Sequence, residues 1–104
     1  MAMVKRGEVY WVNLDPTVGT EIKKPRPALI VSPDDLNQHL PRVIIAPLTS
    51  KGQMLSCRPE VIFDNRSARI LLDQIRAVDK RRLLGKMGVI DESFWHPILL
   101  EMLA

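Results

Sequence analysis

The sequence predicts a small α+β domain that consists mainly of β-strands, a barrel or sandwich followed by one C-terminal helix. Two observations predict this class. Short apolar runs rich in β-branched residues recur as far as Asp79, with turn signals between them. After Asp91 the apolar residues instead fall at helical spacing. Because the chain has 104 residues, we expect a single domain over residues 1–104.

Three strands are expected in the first half of the chain. Residues 7–14 are rich in β-branched and aromatic side chains, and residues 27–32 and 42–48 are short apolar runs typical of buried strands. Residues 15–25 are polar and open with an Asp-Pro turn, which predicts a long loop. Residues 33–41 form a connector with room for one helical turn.

Two further apolar segments, residues 59–65 and 67–79, add two or three strands to the sheet. The dipeptide Asp64-Asn65 is a typical hairpin turn and is expected to join them. The whole pattern therefore predicts about five to seven short strands.

The start of the C-terminal helix depends on Pro97. Asp91 is a suitable N-cap, but Pro97 then lies too late for the first turn. Either the helix is bent, or it begins again with His96 as its cap and Pro97 as its first residue. Its expected apolar face consists of Phe94, Trp95, Ile98, Leu99, Met102 and Leu103.

The charge of the chain is mildly positive and unevenly distributed. The net charge is +3, and cations cluster at residues 23–26, 66–69 and 80–86. Such clusters suit a polyanionic partner, either nucleic acid or an acidic protein tail, although a charge run is more often a solvated surface.

Several classes of protein are disfavoured. The single cysteine, Cys57, cannot form an intramolecular disulfide and fits a reducing cytosol. His39 and His96 are too far apart for metal-ligand spacing, and the familiar phosphate-loop and hydrolase motifs are absent. The N-terminus lacks the apolar core of a signal peptide, and no apolar run reaches the ~18 residues of a membrane span. We therefore expect a soluble, cytoplasmic protein with no cofactor, metal or membrane partner.

The stretch KKPRP places an arginine between two prolines at the start of an apolar strand. Pro25 fixes its own φ, and Pro27 pushes Arg26 towards extended geometry. A guanidinium on such a restricted backbone is suited to binding an anion in one fixed geometry. The alternative is a rigid start to the strand with solvated cations.

A second strand end also presents polar groups. The segment APLTSK follows a buried strand and exposes Thr49, Ser50 and Lys51. In a small barrel the ends of neighbouring strands meet on one rim, so this segment could share a site with TEIKKPRP, which carries Glu21 and Arg26. An ordinary polar exit turn is the simpler interpretation of APLTSK.

Asp73 lies in the apolar run RILLDQIRAVD and needs a partner, because an unpaired buried charge is very costly. Arg76 or backbone amides are the candidate partners. A structural carboxylate is favoured over a catalytic one.

Together, three stretches resemble the MazF/PemK toxins of bacterial type II toxin–antitoxin pairs, over roughly residues 5–103. They are RGEVYWVNLDPTVGTEIKKPRPALIVSPD, IIAPLTS and LLDQIRAVDKRRL. The resemblance implies a small SH3-like (CcdB/PemK-like) β-barrel with a C-terminal helix, assembled as a homodimer. It also implies metal-independent cleavage of single-stranded RNA, and a cognate antitoxin whose acidic, disordered C-terminal segment blocks the RNA site.

The resemblance also implies roles for individual residues. The family's catalytic arginine falls on Arg26, its catalytic threonine on Thr49, and its acidic first-loop residue on Glu21. Leu71 stands where some PemK-type members carry a functional arginine, so a primary catalytic role for Asp73 is doubtful. The other residues expected to contact RNA are Thr20, Lys23, Lys24, Ser50, Gln74 and Arg76.

The residue types suit attack by the RNA 2′-hydroxyl on the adjacent phosphate, which leaves a 2′,3′-cyclic phosphate and a 5′-hydroxyl. Arg26 and Thr49 would stabilise the extra negative charge of the phosphorane, and Glu21 is the best candidate for the general base. The alternative is a CcdB-like toxin that binds DNA gyrase and cleaves nothing. The specific matches lie in the loop that carries Glu21 and Arg26, which favours the ribonuclease.

Overall fold

A computed structural model of the chain describes residues 3–13, 25–51 and 54–104. In these ranges the chain forms seven strands, two α-helices and three 3₁₀ turns. The strands and α-helices are β1 (Glu8–Val12), β2 (Arg26–Ile30), α1 (Asp34–His39), β3 (Arg42–Thr49), β4 (Glu60–Phe63), β5 (Arg66–Ile70), β6 (Arg76–Asp79), β7 (Leu83–Val89) and α2 (His96–Leu103). The 3₁₀ turns are Leu72–Gln74, Lys80–Arg82 and Glu92–Phe94.

The strands form one curled antiparallel sheet, a half-barrel, in the order β4-β5-β3-β2-β1-β7. The long strand β3 explains the curl. Its first half pairs with β6, from Arg42 to Ile45, and its end pairs with β5 at Leu48 and Thr49. Because two strands share one side of β3, the sheet divides there and can close around a core. The predicted α+β class, mainly β with a C-terminal helix, is confirmed.

Apolar side chains pack on both faces of the sheet because residues alternate along each strand. In β1 and β2, Val9 and Leu29 belong to a larger cluster that also contains Trp95. Val12 and Ile30 belong to a smaller cluster on the opposite face. All five side chains are fully buried, and each such burial stabilises the fold by about 1.5–3 kcal/mol.

The start of the C-terminal helix has features of both expected alternatives, the cap at Asp91 and the second start near Pro97. The Asp91 carboxylate accepts a hydrogen bond from the Ser93 amide at 3.0 Å, so Asp91 caps a 3₁₀ turn. The helix α2 then begins at His96, with Pro97 in its first turn. The expected cap was His96, but the cap is Trp95, one residue earlier. Trp95 lies between the 3₁₀ turn and α2, and this break in the helix lets its side chain point into the core. Its ring lies 5.3 Å from the Arg6 guanidinium.

The hairpin turn between β4 and β5 is confirmed at Asp64 and Asn65. Their φ angles are 53° and 61°, so both lie in the left-handed region. Two consecutive residues of this kind form a turn whose twist matches that of the flanking strands, and Asp and Asn tolerate it better than most residues. The turn fixes the register in which Phe63 pairs with Arg66.

The strand β7 was not expected from the sequence, because Gly85, Lys86 and Gly88 interrupt its apolar pattern. It pairs with β1 in antiparallel fashion, with two register irregularities. Gly88 has a packing reason, since a Cβ atom there would lie 3.0 Å from the Phe63 ring. The absence of that atom lets the β4–β5 hairpin close over β7.

The strand β1 also carries a buried carboxylate. Glu8 is 6% exposed, and its carboxylate accepts hydrogen bonds from the Lys5 amide at 2.6 Å and from the Tyr10 hydroxyl at 3.1 Å. The Lys86 ammonium lies 2.6 Å away. Burial raises the pKa of Glu8, but Lys86 and the other donors outweigh it and hold the pKa below its usual value. Burial, followed by the Glu8 charge, raises the pKa of Tyr10 to about 12.

No helix in the described ranges is long and apolar enough to cross a membrane.

Candidate active site

The sheet brings Arg26 and Thr49 together. The strands β2 and β3 are antiparallel, with Ala28 opposite Pro47. Arg26, the first residue of β2, and Thr49, the last residue of β3, each lie two residues beyond this pair, at the same end of the two strands. The expectation that these two strand ends meet on one rim is confirmed.

Both residues line a groove with a volume of about 300 Å³. Six strands and the β4–β5 turn contribute to its walls, with Trp11 from β1, Phe63 and Arg66 beside the turn, and Met87 from β7. The apolar floor and polar rim of such a groove suit a ligand that has both flat apolar and charged parts.

The guanidinium of Arg26 is available to an anion. Arg26 is half-buried and makes no ion pair with any residue in the described ranges. Arg66 lines the same groove and is exposed. The carboxylate nearest to it along the chain is that of Asp64, which also lines the groove. Two cations in one concave site attract and retain a phosphodiester.

The hydroxyl of Thr49 is held in place by a local turn. Its Oγ1 accepts a hydrogen bond from the Lys51 amide at 3.1 Å. Because the oxygen is the acceptor in that bond, its own proton remains available for a ligand oxygen. Ser50, the next residue, also lines the groove and is exposed.

Four of the predicted site residues lie outside the described residues, and their roles remain predictions. They are Thr20, Glu21, Lys23 and Lys24.

Gln74 and Arg76 are not among the residues that line the groove. Arg76 lies opposite Ile45, four residues before Thr49, which is about 13 Å along the strand. Both side chains are exposed. An RNA that extends beyond the groove could still reach them, so their role as more distant contacts remains a prediction.

Arg76, one of the two expected partners of Asp73, was wrong, whereas the expected backbone partner is confirmed in part, because the Asp73 carboxylate accepts a hydrogen bond from its own backbone amide. That carboxylate is bound by Arg58, with both Nε–Oδ1 and Nη2–Oδ2 at 2.9 Å, and not by Arg76. Asp73 is also more exposed than its apolar sequence context suggested, because it lies in the 3₁₀ turn between β5 and β6. The Arg58 guanidinium lowers the pKa of Asp73.

Sequence reasoning missed several residues of the groove, notably Trp11, Phe63 and Met87. Nothing local marks them, because aromatic and apolar residues in strands usually belong to the core. Arg66 did carry a signal, since it was noticed as part of a cationic cluster and follows directly after a turn. Within the described ranges, no group of three His, Cys, Asp or Glu side chains is arranged to hold a metal ion.

Comparison with known proteins identifies the family. Residues 5–101 match the family described as "PemK-like, MazF-like toxin of type II toxin-antitoxin system". The chain belongs to this toxin family. It is also 38% identical over 102 residues to endoribonuclease EndoA of Bacillus subtilis (strain 168), an alignment that covers 92% of this toxin and 88% of EndoA.

The fold of this toxin is that of solved MazF structures. The crystal structure of MazF from Deinococcus radiodurans matches with a TM-score of 0.82 at 23% identity, over 99% of this chain and 98% of that chain. An endoribonuclease in complex with its cognate antitoxin, from a mycobacterial species, matches with a TM-score of 0.78 at 22% identity, over 96% and 94% of the two chains. At these identities the likeness concerns the fold.

Proposed function

We propose that this toxin is a sequence-specific endoribonuclease that cuts single-stranded RNA by attack of the 2′-hydroxyl on the neighbouring phosphate. The bond that forms joins the 2′-oxygen to phosphorus, and the bond that breaks joins phosphorus to the 5′-oxygen. The products are a 2′,3′-cyclic phosphate and a 5′-hydroxyl. The observation that carries the proposal is that Arg26 and Thr49 line one cationic groove.

Arg26 and Thr49 stabilise the transition state in this proposal. The equatorial oxygens of the phosphorane gain negative charge as the 2′-oxygen attacks. The Arg26 guanidinium, held by the flanking prolines, donates to them without moving, and the Thr49 hydroxyl adds a second donor. Donors that are already in place cost little reorganisation when the charge develops.

The remaining predicted residues complete the proposed site. Glu21 accepts the proton of the 2′-hydroxyl as general base, and the leaving 5′-oxygen takes a proton from the Arg26 guanidinium, which regains one from water while Glu21 releases its own, so one proton is removed and one is delivered. Thr20, Lys23 and Lys24 hold phosphates of the RNA from the loop before β2, and Ser50 does so from the end of β3. Gln74 and Arg76 contact the RNA beyond the groove.

We also propose the partners of this toxin. The relative whose solved structure contains a cognate antitoxin supports an antitoxin as a partner of this toxin, and we assign that antitoxin to the same groove. An acidic, disordered C-terminal segment would complement Arg26 and Arg66. A homodimer acting in the cytoplasm, where it would cut messenger RNA and halt translation and growth, completes the proposal.

The test is RNA cleavage with excess EDTA. The wild-type toxin, Arg26→Ala and Arg42→Ala are each incubated with a long single-stranded RNA, and the fragment ends are mapped. Arg42 is the control, because it is also the first residue of a strand but lies at the far end of β3 from Thr49. We expect discrete fragments with cyclic-phosphate and 5′-hydroxyl ends from the wild type and Arg42→Ala. Arg26→Ala should lose about 10²–10³ in rate.

Intact RNA from the folded wild type would overturn the proposal and favour a toxin of the gyrase-binding kind. Cleavage by Arg26→Ala at the wild-type rate would overturn the role of Arg26. Thermal melts of all three proteins separate loss of chemistry from loss of fold.

A further inference from the structure

A second hollow lies beside the groove and has no role in the cleavage just described. It has a volume of about 540 Å³ and is lined by Trp11, Pro25, Leu84 and Gly85. Trp11 lines both the hollow and the groove, so the two sites adjoin at this residue. The indole is 43% exposed and Leu84 is 57% exposed, so two large apolar side chains lie together at the surface.

Gly85 keeps one side of the indole uncovered. It lies directly opposite Trp11 in the β1–β7 pair, the position from which a side chain would normally pack against Trp11. A Cβ atom built on Gly85 meets nothing within 4 Å. The sheet therefore leaves an open, flat aromatic surface with room beside it for another planar group.

The hollow is close to the proposed position of the scissile phosphate. Arg26 pairs with Val12, and Trp11 pairs with Pro27, so Trp11 lies one residue along and one strand across from Arg26. Neighbouring strands are about 4.8 Å apart. A nucleotide whose phosphate is bound by Arg26 would therefore have its own base, or the base next to it, within reach of the indole.

The surroundings of the hollow are also cationic. Arg82 lies at the start of β7, where its Nη1 donates to the Asn13 carbonyl at 3.3 Å. Arg26 and Arg82 thus lie on either side of the end of β1. Aromatic surfaces flanked by cations are typical of sites that bind single-stranded nucleic acid through stacked bases.

We propose that Trp11 is a base-stacking platform, and that the hollow beside Gly85 is a subsite for one nucleobase next to the cleaved phosphate. This inference rests on the proposed function, since it assigns the subsite to the RNA substrate. Stacking needs only a flat π-face, so the platform supplies affinity for every base, and the walls of the hollow favour some bases by size. Loss of such a contact weakens binding by about 5-fold to 150-fold.

The binding test uses the intrinsic fluorescence of Trp11. The chain has two tryptophans, and Trp95 is 0% exposed, so a stacked base quenches Trp11 alone. Wild-type toxin is titrated with a short random-sequence single-stranded DNA, which lacks the 2′-hydroxyl and so cannot be cut by the proposed reaction. We expect saturable quenching. A fluorescent label on the same DNA gives Kd by anisotropy for variants that lack the indole.

Four variants then test the subsite. Trp11→Ala removes the platform, and Trp11→Phe retains a stacking ring. Gly85→Leu fills the hollow and leaves the indole in place, and its Cβ atom meets nothing within 4 Å among the described residues. Ile62→Ala is the control, because it removes a more exposed apolar side chain from an edge strand away from the hollow. We expect Trp11→Ala and Gly85→Leu to weaken DNA binding and RNA cleavage about tenfold or more. Trp11→Phe and Ile62→Ala should stay close to the wild type.

The mapped fragment ends also give the base preference at each position beside the cut, which would not change if Trp11 and Gly85 had only a structural role. If a base occupies the hollow, Trp11→Ala and Gly85→Leu change the base preference at one position beside the cut. Unchanged affinity and unchanged preference in both folded variants, while the wild type still cleaves RNA, would overturn the subsite and leave the proposed function standing. In that case Trp11 only shields the backbone of Gly85.

Two other outcomes are decisive. If the wild type cuts no RNA, the proposed function fails, and absence of quenching by the DNA then overturns the subsite as well. If an acidic peptide quenches Trp11 and the DNA does not, the hollow belongs to a protein partner and the proposal is wrong. Should Trp11→Ala fail to fold, Gly85→Leu decides the question.

Discussion

Arg58 binds Asp73 through two parallel hydrogen bonds, each 2.9 Å long. The pair joins the segment before β4 to the 3₁₀ turn between β5 and β6, which are 15 residues apart in the chain. Two-point binding of this kind fixes both the distance and the orientation of the partners. Since neither residue lines the groove, Asp73 has a structural role in the geometry observed.

We therefore expect Asp73→Asn to lower the melting temperature at pH 7 and to leave RNA cleavage unchanged. The pKa of Asp73 is lowered in the folded state, so its contribution to stability is present above its usual value of 3.8 and is lost as the pH falls. The difference from the wild type should therefore shrink as the pH falls from 7 to below 3.8 and further into acid. Thermal melts over this pH series check this. Glu101→Gln is the control, because Glu101 is exposed and forms no ion pair within the described residues. A normal melt with lost cleavage would contradict the structural role.

Thr49→Val should slow RNA cleavage by about tenfold to a hundredfold, because it removes one hydrogen bond to a charged oxygen. Thr49→Ser keeps the hydroxyl and the acceptor for the Lys51 amide, so it should retain most of the activity. Single-turnover kinetics on a defined RNA measure the rate of the chemical step for both variants. Equal losses in the two variants would contradict the role of the hydroxyl, because serine retains it and valine does not.

Tyr10 should ionise at about pH 12 in the folded protein. It is the only tyrosine in the chain, so ultraviolet absorbance reports it alone. A phenol whose pKa is raised on folding contributes stability below its usual value of 10.0, and this contribution is lost as the pH rises towards 12. Glu8→Gln removes the negative charge and should bring the pKa down, although burial keeps it above the usual value. Circular dichroism, recorded alongside, confirms that the chain is folded during the titration. A midpoint near 10 in folded protein would show that Tyr10 is neither buried nor beside a charge.

Gly88→Ala should destabilise the fold by about 1–3 kcal/mol, because the new Cβ atom lies 3.0 Å from the Phe63 ring and forces the ring to move. Gly85→Ala is the matched control in the same strand. Its Cβ meets nothing within 4 Å, so it should be neutral or stabilise by about 0.4–1 kcal/mol. Denaturant unfolding measures both. Because Phe63 lines the groove, Gly88→Ala should also impair cleavage. Equal stabilities would mean that the hairpin does not press on β7.

Local signals in the sequence were sufficient for most strands, the Asp64-Asn65 turn and the C-terminal helix. An apolar run or a turn dipeptide acts over a few residues, and its preference survives in many tertiary contexts. The strand β7 lacked such a signal, because its two glycines are explained only by residues on other strands. Gly85 lies opposite Trp11 of β1, and Gly88 lies against the Phe63 ring of β4. Its strand conformation comes from pairing with β1, which no local pattern encodes.

The sequence alone was enough for the fold class, the family resemblance and the restricted backbone of Arg26. The last of these follows because proline rings restrict the neighbouring backbone in any tertiary context. Only the tertiary structure decided which groups meet. The pairing of β2 with β3 brings Arg26 and Thr49 to one groove, the β1–β7 pair leaves Trp11 open beside Gly85, and Arg58 rather than Arg76 binds Asp73. Each of these contacts depends on strand register and on turns far apart in sequence. A shift of one residue in register would move every side chain to the other face.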